Sequence, residues 1–156
     1  VFSFALSTIL KLKIMTSVNP YLNFGGNSEE VLNFYAKVFH TQIAMMMRYG
    51  DSPGQENMPV EQKNALMHGS LPIGNTMLMV TDAFDTEHYK LNPGNNFSLS
   101  INTDSKEETD RIFSELSEGG SVQLKPENTF WGAYFGMCTD KFGVQWMLSF
   151  DEKRQN

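Results

Sequence analysis

Three histidines, one cysteine, a run of methionines and a Trp-Gly pair are the side chains here whose chemistry invites a functional reading. His68, within ALMHGSL, stands first. An imidazole titrates near neutrality and can serve as general acid, general base or polar contact. Its structural alternative is a half-buried histidine, on a face with Leu66 and Ser70, bonded to a neighbouring strand. His40 falls at the end of a helical pattern and His88 in a linker, so the three have no reason to meet around a metal. Cys138 sits in an apolar strand with no basic neighbour, the setting of an inert packing thiol rather than a nucleophile. Trp131-Gly132 can lay an indole over a ligand, with glycine admitting close backbone approach, or pack in a core or interface. Met45-Met46-Met47 suits packing before it suits a ligand pocket. Glu29-Glu30 and Glu107-Glu108 are solvated acids at helix starts, and Asp140 serves a turn.

These residues need elements to position them, and Thr129 to Leu148, TFWGAYFGMCTDKFGVQWML, is the organising stretch. It alternates on both sides of Asp140-Lys141-Phe142-Gly143, the pattern of an antiparallel hairpin with one buried face. Val144, Trp146, Leu148 and Phe150 point to a core. Gln145, Met147 and Ser149 point to a face too polar for a core and too apolar for plain solvent.

Upstream, Asn19 to Phe24 reads as a first strand with Leu22 and Phe24 inward. A helix capped by Asn27 or Ser28 follows, its stripe formed by Val31, Leu32, Phe34, Tyr35, Val38 and Phe39. A strand near 42–49, a Gly/Pro/Asn-rich loop over 50–59, and a hairpin of 64–71 with 76–81 complete one unit. Residues 83–95 read as a linker, and then the pattern restarts. Asn96 to Ile101 repeats the phase of Asn19 to Phe24, and Ser105 with Glu108 has capping-box spacing before a helix carrying Ile112, Phe113 and Leu116. Strands near 122–125, 133–139 and 144–150 follow. Repetition of this kind decides the fold. The expectation is an α+β fold of two βαβββ modules, 18–82 and 96–150, forming a curved mixed sheet. Helices cover its convex side, where Phe97, Leu99, Ile101, Trp146 and Leu148 point, and Asn96, Ser98, Ser100, Gln145 and Met147 line its concave side.

Residues 1–14 read as an extension, native or not, ahead of a single domain over 15–150, and 151–156 as a polar tail. A chain of 156 residues fits one domain. Its net charge of −6 and lack of a Lys/Arg cluster argue against a nucleic-acid partner. No stretch is apolar for long enough to span a bilayer. One cysteine cannot form an internal disulfide, so a reducing cytoplasm is the expected setting.

FGGNSEEVLNFYAKVF, MHGSLPIGNTMLMVTD and TFWGAYFGMCTDKFGVQWML together resemble the PhnB-like branch of the vicinal-oxygen-chelate superfamily, which includes glyoxalase I and the fosfomycin- and bleomycin-resistance proteins. The resemblance spans about residues 18–150 and implies a homodimer. It also implies a divalent metal held by His, Gln or Glu from the first and last strands of each module. Carried over by position, those places hold Asn19, Asn96, Met147 and Met79 or Leu78. Neutral amides and thioethers are poor ligands for Mg, Mn, Fe or Zn. No Gly-rich nucleotide loop follows a strand, which tells against a methyltransferase reading.

The expected function is therefore binding of a small organic ligand in the concave cleft, without cofactor or metal. Its lining would be Asn19, Tyr21, His68, Met79, Asn96, Ser98, Ser100, Trp131, Gln145 and Met147. An alternative is a lyase, isomerase or transferase using His68 or a displaced metal. A second is a structural or partner-binding dimer.

Overall fold

The structure is a computed structural model describing residues 16–155, so the expectation for residues 1–14 falls outside it. Alternating and helical patterns fold where the sequence places them. The first unit contains β1 (Tyr21–Phe24), α1 (Ser28–Val38), β2 (Met45–Arg48), the short α2 (Val60–Asn64), β3 (Leu66–Ile73) and β4 (Thr76–Asp82). The second contains β5 (Leu99–Asn102), α3 (Lys106–Ser117), β6 (Ser121–Asn128), β7 (Tyr134–Thr139) and β8 (Gln145–Phe150). Each forms a four-stranded sheet, ordered β1-β4-β3-β2 and β5-β8-β7-β6. In both, the first strand runs parallel to the last, and the remaining pairs are antiparallel. This is the duplicated α+β arrangement. The curved sheet is split, however: among the described residues no strand of one unit pairs with a strand of the other.

The helix-side faces of both sheets drain into one hydrophobic core. α1 contributes Val31, Leu32, Tyr35 and Val38, and α3 contributes Ile112, Phe113 and Leu116. Trp146 is the largest fully buried side chain, edge-on to Tyr35 at 5.3 Å and tilted against Phe39 at 5.5 Å. The alternation of β8 buries Trp146, Leu148 and Phe150 and leaves Gln145, Met147 and Ser149 half-buried opposite.

Two buried carboxylates hold the frame. Asp140, in the β7–β8 turn, accepts from the Phe142 and Val144 amides at 2.9 and 3.0 Å through Oδ1. Its Oδ2 accepts from the Tyr35 hydroxyl at 2.6 Å and Trp146 Nε1 at 2.8 Å. The expected turn residue thus also joins α1 of the first unit to β8 of the second. Asp82, ending β4, accepts from the Gly26, Ser28 and Leu66 amides at 3.1, 2.9 and 2.7 Å. It takes over the capping expected of Asn27 or Ser28; Asn27 occupies the N-cap position but makes no side-chain cap bond. At α3, Ser105 Oγ accepts from the Glu108 amide at 3.0 Å as expected, while the Glu108 carboxylate takes the Asp104 amide at 2.8 Å.

The loop after β2 is more ordered than its composition suggests, holding a 3-10 turn at Tyr49–Asp51 and α2. Pro72 and Ile73 continue β3, leaving Gly74-Asn75 as the turn. β5 begins at Leu99 rather than Asn96, because its parallel partner begins one position earlier than the Leu99–Trp146 pair. The Gln145 amide instead donates to the Phe97 carbonyl at 2.8 Å. Phe97, expected in the core, is 51 % exposed as a result.

Cys138 is 1 % exposed, and burial together with Asp140 pushes its thiol up to about 11. Native protein at neutral pH should therefore resist a thiol-directed disulfide reagent, with one equivalent reacting only after denaturation. Rapid stoichiometric labelling of folded protein contradicts this burial.

Candidate functional site

Strand register determines which expected residues meet. On the first sheet, the face turned away from α1 carries two cross-strand rows. One runs Tyr21, Met79, Ser70, Met45. The next contains Asn23 beside Thr81 and His68 beside Met47. The register thus brings Tyr21, His68 and Met79 together. The Tyr21 hydroxyl lies 3.1 Å from His68 Nδ1, and the two rings are 5.7 Å apart and tilted.

Leu66 does not share this face with His68. Met47 opposes His68 while Arg48 opposes Leu66, so β3 carries one residue more than β2 at that point. A bulge of this kind re-aims side chains. Leu66 accordingly turns into the core at 1 % exposure, whereas His68 stays half-buried on the open face. Leu78 is also core, leaving Met79 as the residue β4 offers to this face.

On the second sheet, Ser100, Met147 and Ser149 share the face away from α3 by register. Phe135 pairs with Ser149, Met137 with Met147 and Thr139 with Gln145, which extends that face across β7. Trp131, in the β6–β7 turn, packs edge-on to Phe135 with 6.0 Å between rings and is 58 % exposed. Neighbouring Phe130 is 98 % exposed.

Three expected cleft residues lie outside the paired strands. Asn19 precedes β1, and its side-chain oxygen accepts from the Met77 amide at 3.0 Å, which fastens the approach to β1 against β4. Asn96 is exposed in the approach to β5, and Ser98 also lies outside that strand. Because the helix-side faces share one core, the two open faces lie on the sheet sides opposite it.

A pocket of about 560 Å³ lies beside Tyr21 to Phe24 of β1, under residues 89–94 and against Phe97 and the Phe142–Val144 turn. Of the expected lining it takes only Tyr21. The linker composition hid it, since Tyr89 and Leu91 read as spacer until the fold lays them beside β1.

The divalent centre implied by the superfamily can be tested against these donors. Among the described residues no group of three or more His, Cys, Asp or Glu is placed to hold a metal. Asn19 is committed to Met77, Leu78 is core, and the open faces offer thioethers, hydroxyls and one imidazole. This set does not fit a hard divalent ion. No described helix is long and apolar enough to cross a membrane.

A family model described as 3-demethylubiquinone-9 3-methyltransferase matches residues 16–149. The chain is 39% identical to protein PA1353 of Pseudomonas aeruginosa, with TM-score 0.76, covering 88% of this chain and 98% of that one. It is 25% identical to the PhnB protein of Bacillus cereus, TM-score 0.68, covering 86% and 99%. A glyoxalase/bleomycin resistance protein/dioxygenase family enzyme of Burkholderia phytofirmans shares the fold at 16% identity and TM-score 0.55, covering 85% and 98%. Duplicated sheets, the Trp-Gly hairpin and a match running nearly the whole described length leave one assignment: the chain belongs to the PhnB-like family.

Proposed function

We propose that this protein binds a small organic molecule against the open face of its first sheet, with the Tyr21–His68 pair as polar anchor. The observation that carries the reading is that pair: a phenol and an imidazole 3.1 Å apart on a half-exposed surface otherwise rich in thioethers. Thioethers adapt to flat or irregular apolar ligands, and the pair supplies direction. The ligand would have an aromatic or branched apolar body and at least one hydrogen-bonding oxygen.

In this proposal the protein is a homodimer, and the second copy's Trp131, Gln145 and Met147 close the cleft. Met45, Met46, Met47, Val122, Phe130 and Trp131 are all exposed, more apolar surface than isolated residues account for. A reducing cytoplasmic setting belongs to the same proposal, supported by the single buried thiol Cys138.

The test is a thermal-shift screen of dialysed protein against aromatic and branched-chain carboxylic acids, alcohols and ketones. A true ligand at 100 times its Kd stabilises by about 2.7 kcal/mol. His68→Gln and Tyr21→Phe should each remove most of the shift. A shift that survives in both variants contradicts the anchor, and no shift across the panel favours the structural-dimer reading. Light scattering at micromolar concentration should give twice the chain mass, and a monomeric mass rejects the shared cleft.

A further inference from the structure

The open face of the first sheet holds a second kind of chemistry, one that imidazoles and carboxylates alone do not reveal. Met45 opposes Ser70, Ser70 opposes Met79, and Met47 opposes His68. Directly opposed Cβ atoms lie about 4.5–5.5 Å apart and diagonal ones about 7–8 Å, distances that a methionine side chain spans. Ser70 is only 6 % exposed although it sits on the open face. Its cross-strand neighbours are Met45 and Met79, one on either side. His68 places Nδ1 against the Tyr21 hydroxyl, which turns Nε2 away as the ring's remaining donor atom. A bond of this sort at the far nitrogen is how ligating imidazoles are oriented.

Three thioethers and one imidazole, with no carboxylate among them, are a soft donor set. Thioethers select Cu(I) over Zn, Mn, Mg or Ca, and they carry no proton that the metal must displace. We propose that Met45, Met79 and His68, with Met47 as fourth donor, form a site for a monovalent soft ion, Cu(I). The site does not depend on the organic-ligand reading. The bland alternative is an apolar patch that serves only packing between copies. Leucine separates the two, since it keeps the apolar bulk and removes the sulfur.

The experiment is an anaerobic titration of the full chain with Cu(I) in competition with the chromophoric chelator bicinchoninate. Parallel arms use Zn(II), and Ag(I) as a redox-stable surrogate followed by methionine methyl NMR. The intact protein should withdraw one Cu(I) per chain, and Ag(I) should move the Met45 and Met79 methyl signals. Affinity should fall at least tenfold in Met45→Leu/Met79→Leu and in His68→Gln. It should be unchanged in Met46→Leu, whose side chain lies on the opposite face of the same strand. Three results each overturn the proposal: no copper withdrawn, equal affinity in the double leucine variant, or a Met46→Leu loss as large as the double variant's. Circular dichroism of each variant confirms that the fold is retained, and Met79→Leu alone replaces the double variant should the latter misfold.

Discussion

Asp140→Ala is expected to destabilise the protein by about 4 kcal/mol, since each buried donor left without its acceptor costs roughly 1–3 kcal/mol. Four donors lose their acceptor at once: the Phe142 and Val144 amides, the Tyr35 hydroxyl and Trp146 Nε1. Asp140 is 3 % exposed, so water does not readily replace it. Asp140→Asn should fall between, at about 2–3 kcal/mol. Its amide oxygen can keep the two backbone donors. Its NH2 group then faces Trp146 Nε1, donor against donor, while the Tyr35 hydroxyl can rotate to accept. Urea unfolding gives the answer directly: the midpoint should drop with its slope preserved. An Asp140→Ala variant within 1 kcal/mol of the parent (about the worth of a single ordinary hydrogen bond) shows that this network holds little.

The same cluster makes stability sensitive to alkali. Burial, then the Asp140 charge and its hydrogen bond, hold the Tyr35 phenol well above its ordinary value of 10.0. Burial and Asp140 raise the Cys138 thiol from 9.0 to about 11. Both folded values are raised, so the unfolded chain loses these protons first. The stability they contribute is complete below about pH 9 and declines as pH climbs through the folded values. Tyr35→Phe should flatten the decline above pH 10 while costing stability at neutral pH.

Gly120→Ala should also be severe, at about 3 kcal/mol or more, because overpacking against rigid backbone cannot relax by a rotamer change. A Cβ there would collide with the Thr139 carbonyl oxygen and lie 2.8 Å from the Asp140 carbonyl carbon. The glycine lets the chain leaving α3 press against the β7–β8 turn that carries Asp140. Gly94→Ala is the matched control, its nearest neighbour being 3.5 Å away. Equal unfolding midpoints for the two variants remove the steric argument.

The period-two pattern of 144–150 was legible because each residue obeys a local rule, and β8 buries the residues that the rule names. The two units were legible for the same reason, their strands repeating in phase. Contacts across long separations were not. Asp82 caps a helix 54 residues upstream, and Tyr21 meets His68 across 47. Neither partner announces itself in its own neighbourhood. The extra residue in β3 was hidden as well, since strict alternation puts Leu66 beside His68 and one inserted position reverses that. Asn19 and Asn96 were misplaced by assigning strands from composition, whereas pairing starts only where a neighbouring strand offers a ladder.

The two acids also hold the two halves in different ways. Asp82 closes β4 and ties its own helix, whereas the register puts Phe150 in the matching place on β8. Asp140 reaches instead for a tyrosine in the opposite half. Neither half can be cut free without stranding a partner of that acid. The two halves should therefore melt as one body, in a single unfolding transition.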